Sequence, residues 1–427
     1  MSNSLILEKI WSFSKELWPI NRSITGQGTL TTLKIIKKNL PRLKIKNVKS
    51  GYKAFDWKVP DEWNIKKGYI ITPTGSKICN FKENNLHVVG YSSSINKTVS
   101  LEELDQNLHS LPKQPNAIPY VTSYYKKRWG FCIKDKERKM LKRANYKVVI
   151  DSKLAEGKLH YGEILIKGKT KKEIFISTYI CHPSMANNEI SGPVITTFLT
   201  TWINSLKKTK YSYRIVFIPE TIGSLVYLSK NLKKMKKNII AGFIMTCMGD
   251  ERNYSYLPTK YENKYVDRVI VKILKDKKIK YKKFQWSDRG SDERQYSSPG
   301  VDLPIATLMR TKYGEYPEYH TSLDKLGTVV TKKGLFQSLE LIKQCIKIIE
   351  QNYFPRCKVL GEPMLSKWGL YSDLSIKNNY NKGHNINDIL TWADGKNDII
   401  DISERCNLTF NKVYEILDIC KSRKLIK

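Results

Sequence analysis

Acidic residues are in short supply in this 427-residue chain: 40 Asp+Glu face 75 Lys+Arg, for a formal charge of +35. Such a balance invites a polyanion as partner. The lysines are not gathered into a patch, however. Pieces such as "KKTK", "KKMKK" and "KDKKIKYKK" lie between apolar helix positions, as solvated helix faces do. A bias towards Lys, Ile, Asn and Tyr produces the same charge without a partner, so specific nucleic-acid recognition is not expected. Cys-x-x-Cys pairs are absent, which excludes a zinc ribbon and a dithiol redox motif. The eight cysteines are scattered and read as reduced, mostly buried thiols, in a chain too large to need disulfides. Long apolar runs are missing too: none approaches the ~20 residues of a membrane span. The opening "MSNSLILEKIWSFSKELWPI" interrupts its apolar positions with Glu and Lys, which makes an amphipathic helix rather than a signal peptide. The expectation is a soluble, cytoplasmic protein without internal repeats.

What is present is enough for two or three domains with full cores, at 41% hydrophobic residues. Residues 4–18 and 29–40 show helical spacing, separated by the loop "PINRSITGQG" with Arg22. From about 50 to 165 the texture turns to strands and hairpins, including "LHVVGYSS", "YKVVIDS" and the tight turn "PTGSK". From about 172 strands alternate with helices: "EIFISTYI", "YRIVFIP", "IIAGFIMTCM" and "LPIATLM" as strands, with helical patterns between them and a long closing helix from 334. Continuous apolar strands of this kind belong in a parallel sheet covered on both faces. After the Tyr/Asn/Lys-rich stretch "YSDLSIKNNYNKGHN", three helical patterns separated by "DGKND" and "NLT" suit a helix-turn-helix or winged-helix unit. The expected organisation is an α/β/α sandwich of residues 1–48 and 166–375, an inserted β-rich domain of 49–165 and a winged helix of 384–427.

In an open α/β sheet, ligands bind at the carboxyl ends of the strands. His182, Asn187, Asn188 and Glu189 follow the first of these strands, Glu220 the second, Asp250 the third, and His320 a later one. Histidine and carboxylate from separate strand ends is how hydrolases assemble a zinc site, with one further carboxylate kept off the metal as general base. A single such residue is ordinarily a hydrogen-bonded loop side chain or a helix N-terminal acid. The conjunction at successive strand ends is what points to a site.

The ordered set "CHPSMAN", "NNEISG", "PETIGS", "GSDERQY" and "EYHTSLD" resembles the co-catalytic zinc aminopeptidases. With "PINRSITG", "FDWKVPDEWNI", "LHSLP", "IPYVTSYY", "RWGFC" and "ILTWADG", the chain resembles over nearly its full length a bacterial aminopeptidase-like family found among polysaccharide-biosynthesis genes. The resemblance implies a zinc-aminopeptidase fold with an inserted β domain and a winged helix. It implies that His182 and His320 are metal ligands, that Glu220 is the general base, and that Asp292 is a pocket-side acid. Three departures stand out. Asn188 occupies the place of the acid that bridges two metals, and Thr221 and Thr246 occupy the places of two further acids. A pair of dications about 3.5–4 Å apart needs a negative bridge. The expectation is therefore one zinc rather than two, held by His182, His320 and either Glu189 or Asp250, or no metal at all.

The stretch "LPKQPNAIPYVTSYYKKRWGFC" adds aromatic and basic side chains. It reads as an ordinary aromatic β core or as a substrate wall. In the second case Tyr124, Arg128 and Trp129 face the two histidines, and Arg22 and Arg289 help to bind an anionic or peptide-like substrate. The expected function is metal-dependent hydrolysis of an amide, either a peptide N-terminus or an N-acyl group on an amino sugar. The rivals are a degenerate binding or scaffold protein of the same fold and a winged-helix regulator that binds nucleic acid. Assembly into a homo-oligomer is left open.

Overall fold

Seven consecutive buried residues, Glu173–Tyr179, form the strand around which the larger part of the molecule is organised. The structure is a computed structural model that describes residues 3–370 and 377–427, so part of the expected linker, residues 371–376, lies outside the described residues. The chain divides into two compact units: one holds the residues up to Val266 and Tyr281–Glu340, the other Asp267–Lys280 and Leu341–Lys427.

In the first unit eight strands form one sheet. In chain order they are β1 (Lys44–Lys49), β2 (Lys158–Ile166), β3 (Glu173–Tyr179), β4 (Ser212–Ile218), β5 (Ile239–Ile244), β6 (Ser255–Leu257), β7 (Lys282–Lys283) and β8 (Ile305–Met309). Their spatial order is β1-β2-β4-β3-β5-β8-β6-β7. The centre, β4-β3-β5-β8, is parallel; β1 and β2 pair antiparallel with their neighbours, and β6 pairs antiparallel with β8 and parallel with β7. β3 and β4 are buried along their whole length, which is why they read as unbroken apolar runs. The apolar run beginning at Ile239 stops being a strand at Ile244, because the chain there leaves the sheet to line its end. β2 falls within the stretch assigned from the sequence to the insertion, yet it is a strand of the central sheet. The connection after β3 runs to β4 on one side, and the next runs back past it to β5 on the other. That reversal opens a crevice at the carboxyl end of β3, where ligands of such sheets bind.

Arg214 on β4 shows how charge is accommodated inside the sheet. Its guanidinium meets Glu173 at 2.6 and 2.9 Å, and Glu163 and the Tyr227 hydroxyl at 2.9 Å each. The insertion forms a separate four-stranded antiparallel sheet, Lys77–Ile78, Glu62–Ile71, Asn145–Ala155 and Ile95–Ser100 in spatial order. The stretch "LHVVGYSS" contributes no regular strand to it: residues 85–87 are a 3-10 turn, and Val88 and Gly90 pair only in isolated bridges.

The helix Ser191–Ser205 follows the crevice and packs flush on β5's exit at Gly192. A Cβ there would lie 2.3 Å from the Met245 carbonyl oxygen and 2.6 Å from Thr178 Oγ1. Gly192→Ala is expected to destabilise the first unit by about 1–3 kcal/mol, the cost typical of overpacking against backbone. Urea denaturation followed by tryptophan fluorescence checks this; an unchanged midpoint would contradict the packing described.

The second unit contains the helices Lys377–Trp392, Ile399–Arg405 and Phe410–Ser422. Asp398 caps the second of these and accepts Arg268 at 2.7 Å, and Asp401 accepts the same guanidinium at 2.8 Å. The Phe410 N–H donates to Asp276 at 2.8 Å. Among the described residues no helix is long and apolar enough to cross a membrane. All eight cysteines are free.

Candidate active site

His182 lies just beyond β3, and a π-helical turn, Ala186–Ile190, returns Glu189 to it. Such turns are rare and recur at functional sites. Asp324 holds this one open: its carboxylate accepts the N–H groups of Asn187 and Asn188 at 2.7 and 3.0 Å. Glu189 Oε2 meets His182 Nδ1 at 3.0 Å, so Nε2 is left to face outward. On that side Glu220, from the end of β4, brings Oε2 to 3.7 Å. Glu220 Oε1 accepts the Ser291 hydroxyl at 2.8 Å.

The His320 ring lies 5.5 Å from that of His182, centroid to centroid. Its loop is held by the insertion. The Tyr120 N–H donates to the His320 carbonyl at 2.9 Å, the Ser322 N–H to Ile118 at 2.9 Å, and Pro119 and Thr321 form an antiparallel bridge. The Tyr120 ring stands edge-on to both imidazoles, at 5.4 and 5.2 Å, and Tyr319 stacks on His320 at 3.9 Å.

Burial disfavours a charge on His182, but Cys181 and Glu189 beside Nδ1 outweigh it, and the imidazole pKa is raised well above its ordinary value. His320 behaves oppositely. Burial, and then the charge of His182, depress it to about 3, which leaves a neutral ring. Its Nε2 is buried and has no hydrogen-bond partner among the described residues. Burial raises Glu220 above the usual carboxylate range. Asp292 is pushed up to about 8, by burial first and by the charge of Glu220 second. It accepts the Thr221 N–H and the Ser224 hydroxyl on one oxygen.

The residues present fit a metal ion. A neutral, unpartnered His320 and a His182 whose outward nitrogen faces a carboxylate are ligand-competent imidazoles, and His182 carries the carboxylate on its far nitrogen that metal-binding histidines ordinarily have. The positions that would complete a second ion are not anionic. Asn188 Oδ1 accepts the Tyr179 hydroxyl at 2.9 Å, Thr246 bonds the same hydroxyl, and the Thr221 hydroxyl accepts Arg294 at 2.8 Å. Cys181, His182 and Glu189 also bring ligand atoms within 4.8 Å of one another, a spacing that suits a metal ion. The Arg22 guanidinium, 3.4 Å from Glu189, already supplies positive charge on that side.

Several residues singled out in the sequence are placed elsewhere than expected. The two carboxylates named as compensating ligands differ. Glu189 bonds His182 Nδ1 and pairs with Arg22 but keeps Oε1 without a hydrogen bond, while Asp250 accepts Asn187, the Thr311 N–H and hydroxyl, and the Arg252 N–H. Arg22 is buried and bonds the carbonyls of Leu17 and His182 at 2.7 and 2.9 Å, so it braces the site rather than receiving substrate. Trp129 packs on the core of the four-stranded sheet, Arg128 donates to the Thr122 carbonyl, and exposed Arg289 lies over Trp286. These three do not form the expected wall. Tyr124 is nearer, with its hydroxyl 3.3 Å from that of Tyr120. It also lines a cavity of about 230 Å³ with Lys58, Lys126 and Lys127. The residues missed are Tyr120, Tyr179, Ser291, Tyr319 and Asp324. Tyrosines are so common in this chain, at 25, that no local signal separates these from the rest.

Comparison with known proteins places this geometry. The family model described as a domain of unknown function, DUF4910, matches residues 11–352, and a winged helix-turn-helix model matches residues 353–427. A Clostridium acetobutylicum protein named for polysaccharide biosynthesis and an aminopeptidase-like domain is 42% identical over 425 residues, covering 98% of this chain and 96% of its own. The crystal structure of a Clostridium acetobutylicum protein assigned as a peptidase superposes with a TM-score of 0.93 at 41% identity, over 100% of this chain and 97% of that one. A zinc aminopeptidase from Bacillus subtilis shares the fold, with a TM-score of 0.58 at 12% identity over 82% of this chain and 95% of that one. The chain thus belongs to the DUF4910 family, with a mixed α/β fold like that of the zinc aminopeptidases and a C-terminal winged helix-turn-helix domain.

Proposed function

We propose that the protein is a metal-dependent hydrolase that cleaves an amide, a peptide N-terminus or an N-acyl group, in a precursor of surface polysaccharide. The observation that carries this reading is the bracketed imidazole: buried His182 with Glu189 on one nitrogen and Glu220 3.7 Å from the other, beside the unpartnered His320. Both faces of this ring call for a cation, either a proton or a metal ion. A zinc ion held by His182 and His320 would supply Lewis acidity toward the amide carbonyl and the attacking water.

The chain's own groups account for the rest. Glu220, with its pKa raised by burial, takes the proton of the attacking water and returns it to the departing nitrogen. The Ser291 hydroxyl fixes the rotamer that presents Oε2. Tyr120 covers both histidines and restricts water around the reacting carbonyl. The link to polysaccharide rests on the name of the Clostridium acetobutylicum relative.

Elemental analysis of the purified chain is expected to find about one zinc, with His182→Ala and His320→Ala each reducing it at least tenfold, since each removes a direct ligand. Less than about a tenth of an ion in a zinc-supplemented preparation favours the binding-protein reading, which Asn188, Thr221 and Thr246 would then explain.

A further inference from the structure

We infer that Arg294 is the oxyanion-recognition residue of this site, selecting substrates that carry a carboxylate or phosphate close to the scissile amide. The inference rests on the hydrolase reading and names its substrate class.

The backbone next to the base is strained. Thr221 follows Glu220 and sits at φ 62°, ψ −75°. The Ile222 N–H reaches back to the Glu220 carbonyl at 2.8 Å, closing a γ-turn with positive φ. For a β-branched residue this conformation costs on the order of 1–3 kcal/mol and persists only where the surroundings impose it. The surroundings here are one short turn. Ser291 donates to Glu220 Oε1, Asp292 accepts the Thr221 N–H at 2.8 Å, and Arg294 Nη2 donates to Thr221 Oγ1 at 2.8 Å. The segment that orients the base therefore also places the guanidinium beside it.

Arg294 is exposed, and that hydroxyl is the partner its side chain has. A guanidinium offers five N–H donors in a planar fork, so most of its capacity is unused. Among the described residues it forms no ion pair, in contrast to Arg22, which lies against Glu189. Thr221 stands where the zinc aminopeptidase pattern has an acid, and an exposed cation now rests on it. An oxyanion arriving there meets a pre-oriented fork suited to bidentate contact.

The test is isothermal titration of the zinc-loaded full-length protein with hippurate and hippuramide, two N-acyl glycines that differ only in the carboxylate, and with inorganic phosphate. Wild type is expected to prefer hippurate by about tenfold, a charge-assisted bond discounted for exposure. Arg294→Gln is expected to lose that preference while its hippuramide affinity stays within twofold, and Arg294→Lys to keep part of it. Competition by phosphate would extend recognition to phosphorylated substrates, and its absence would confine recognition to carboxylates. Equal affinity of wild type for the matched pair, including no binding of either, overturns the inference. So does a preference that survives in Arg294→Gln. An intact preference in a protein that hydrolyses nothing would instead remove the hydrolase reading and leave Arg294 as the anion contact of a binding site.

Discussion

Glu220→Gln is expected to lower turnover by about 10²–10⁴-fold while fold and metal content stay at wild-type levels. The amide is nearly isosteric, and its oxygen still accepts the Ser291 hydroxyl that now reaches Glu220 Oε1 at 2.8 Å. The γ-turn at Thr221 is held by Asp292 and Arg294 and does not depend on the carboxylate. What is lost is the oxygen that stands 3.7 Å from His182 Nε2 and the basicity that burial gives it. Because two imidazoles, and not Glu220, are the proposed metal ligands, zinc measured by elemental analysis should be unchanged. Single-turnover rates on any identified amide substrate, with thermal melts of the same preparations, check both halves. A variant that turns over at the wild-type rate would remove Glu220 from the mechanism; one that loses its zinc would make Glu220 a ligand instead.

Arg22→Met is expected to cost about 3–5 kcal/mol of stability, the range found when one member of a buried ion pair is removed. Arg22 is only 1% exposed. It lies 3.4 Å from Glu189 and donates to two carbonyls, those of Leu17 and His182. Methionine fills most of the volume but leaves the Glu189 carboxylate buried beside an imidazole alone and the His182 carbonyl without the donor it now has. Glu189→Leu in the same chain should recover part of the loss, because it removes the stranded charge. Urea midpoints of the two single variants and the double variant provide the cycle. A cost below about 1 kcal/mol for Arg22→Met would mean that the pair is not the brace described here.

Much of the architecture was legible without the structure because it is written in short-range pattern. The unbroken apolar run of β3 reads as a central parallel strand because every residue from Glu173 to Tyr179 is enclosed. The placement of His182 and Glu220 follows from the rule that such strands end at the crevice. The sequence alone thus determined the α/β fold and the C-terminal helical domain, and it set His182 and Glu220 at the strand ends where they lie. It did not determine which polar residues near that histidine are free to act, because this depends on partners far away along the chain. Glu189 is taken up by an arginine 167 positions earlier, Asp250 by Thr311, and the loop carrying His320 by residues 118–120 of the insertion. Each of these is a contact between residues whose local sequence is indifferent to it. Tertiary packing decided that Arg22 braces while Arg294 stays exposed, and that Tyr120 rather than Trp129 faces the histidines. A buried charge has to find its counter-charge and a buried carbonyl its donor, and only the folded chain shows which of several candidates satisfies each one.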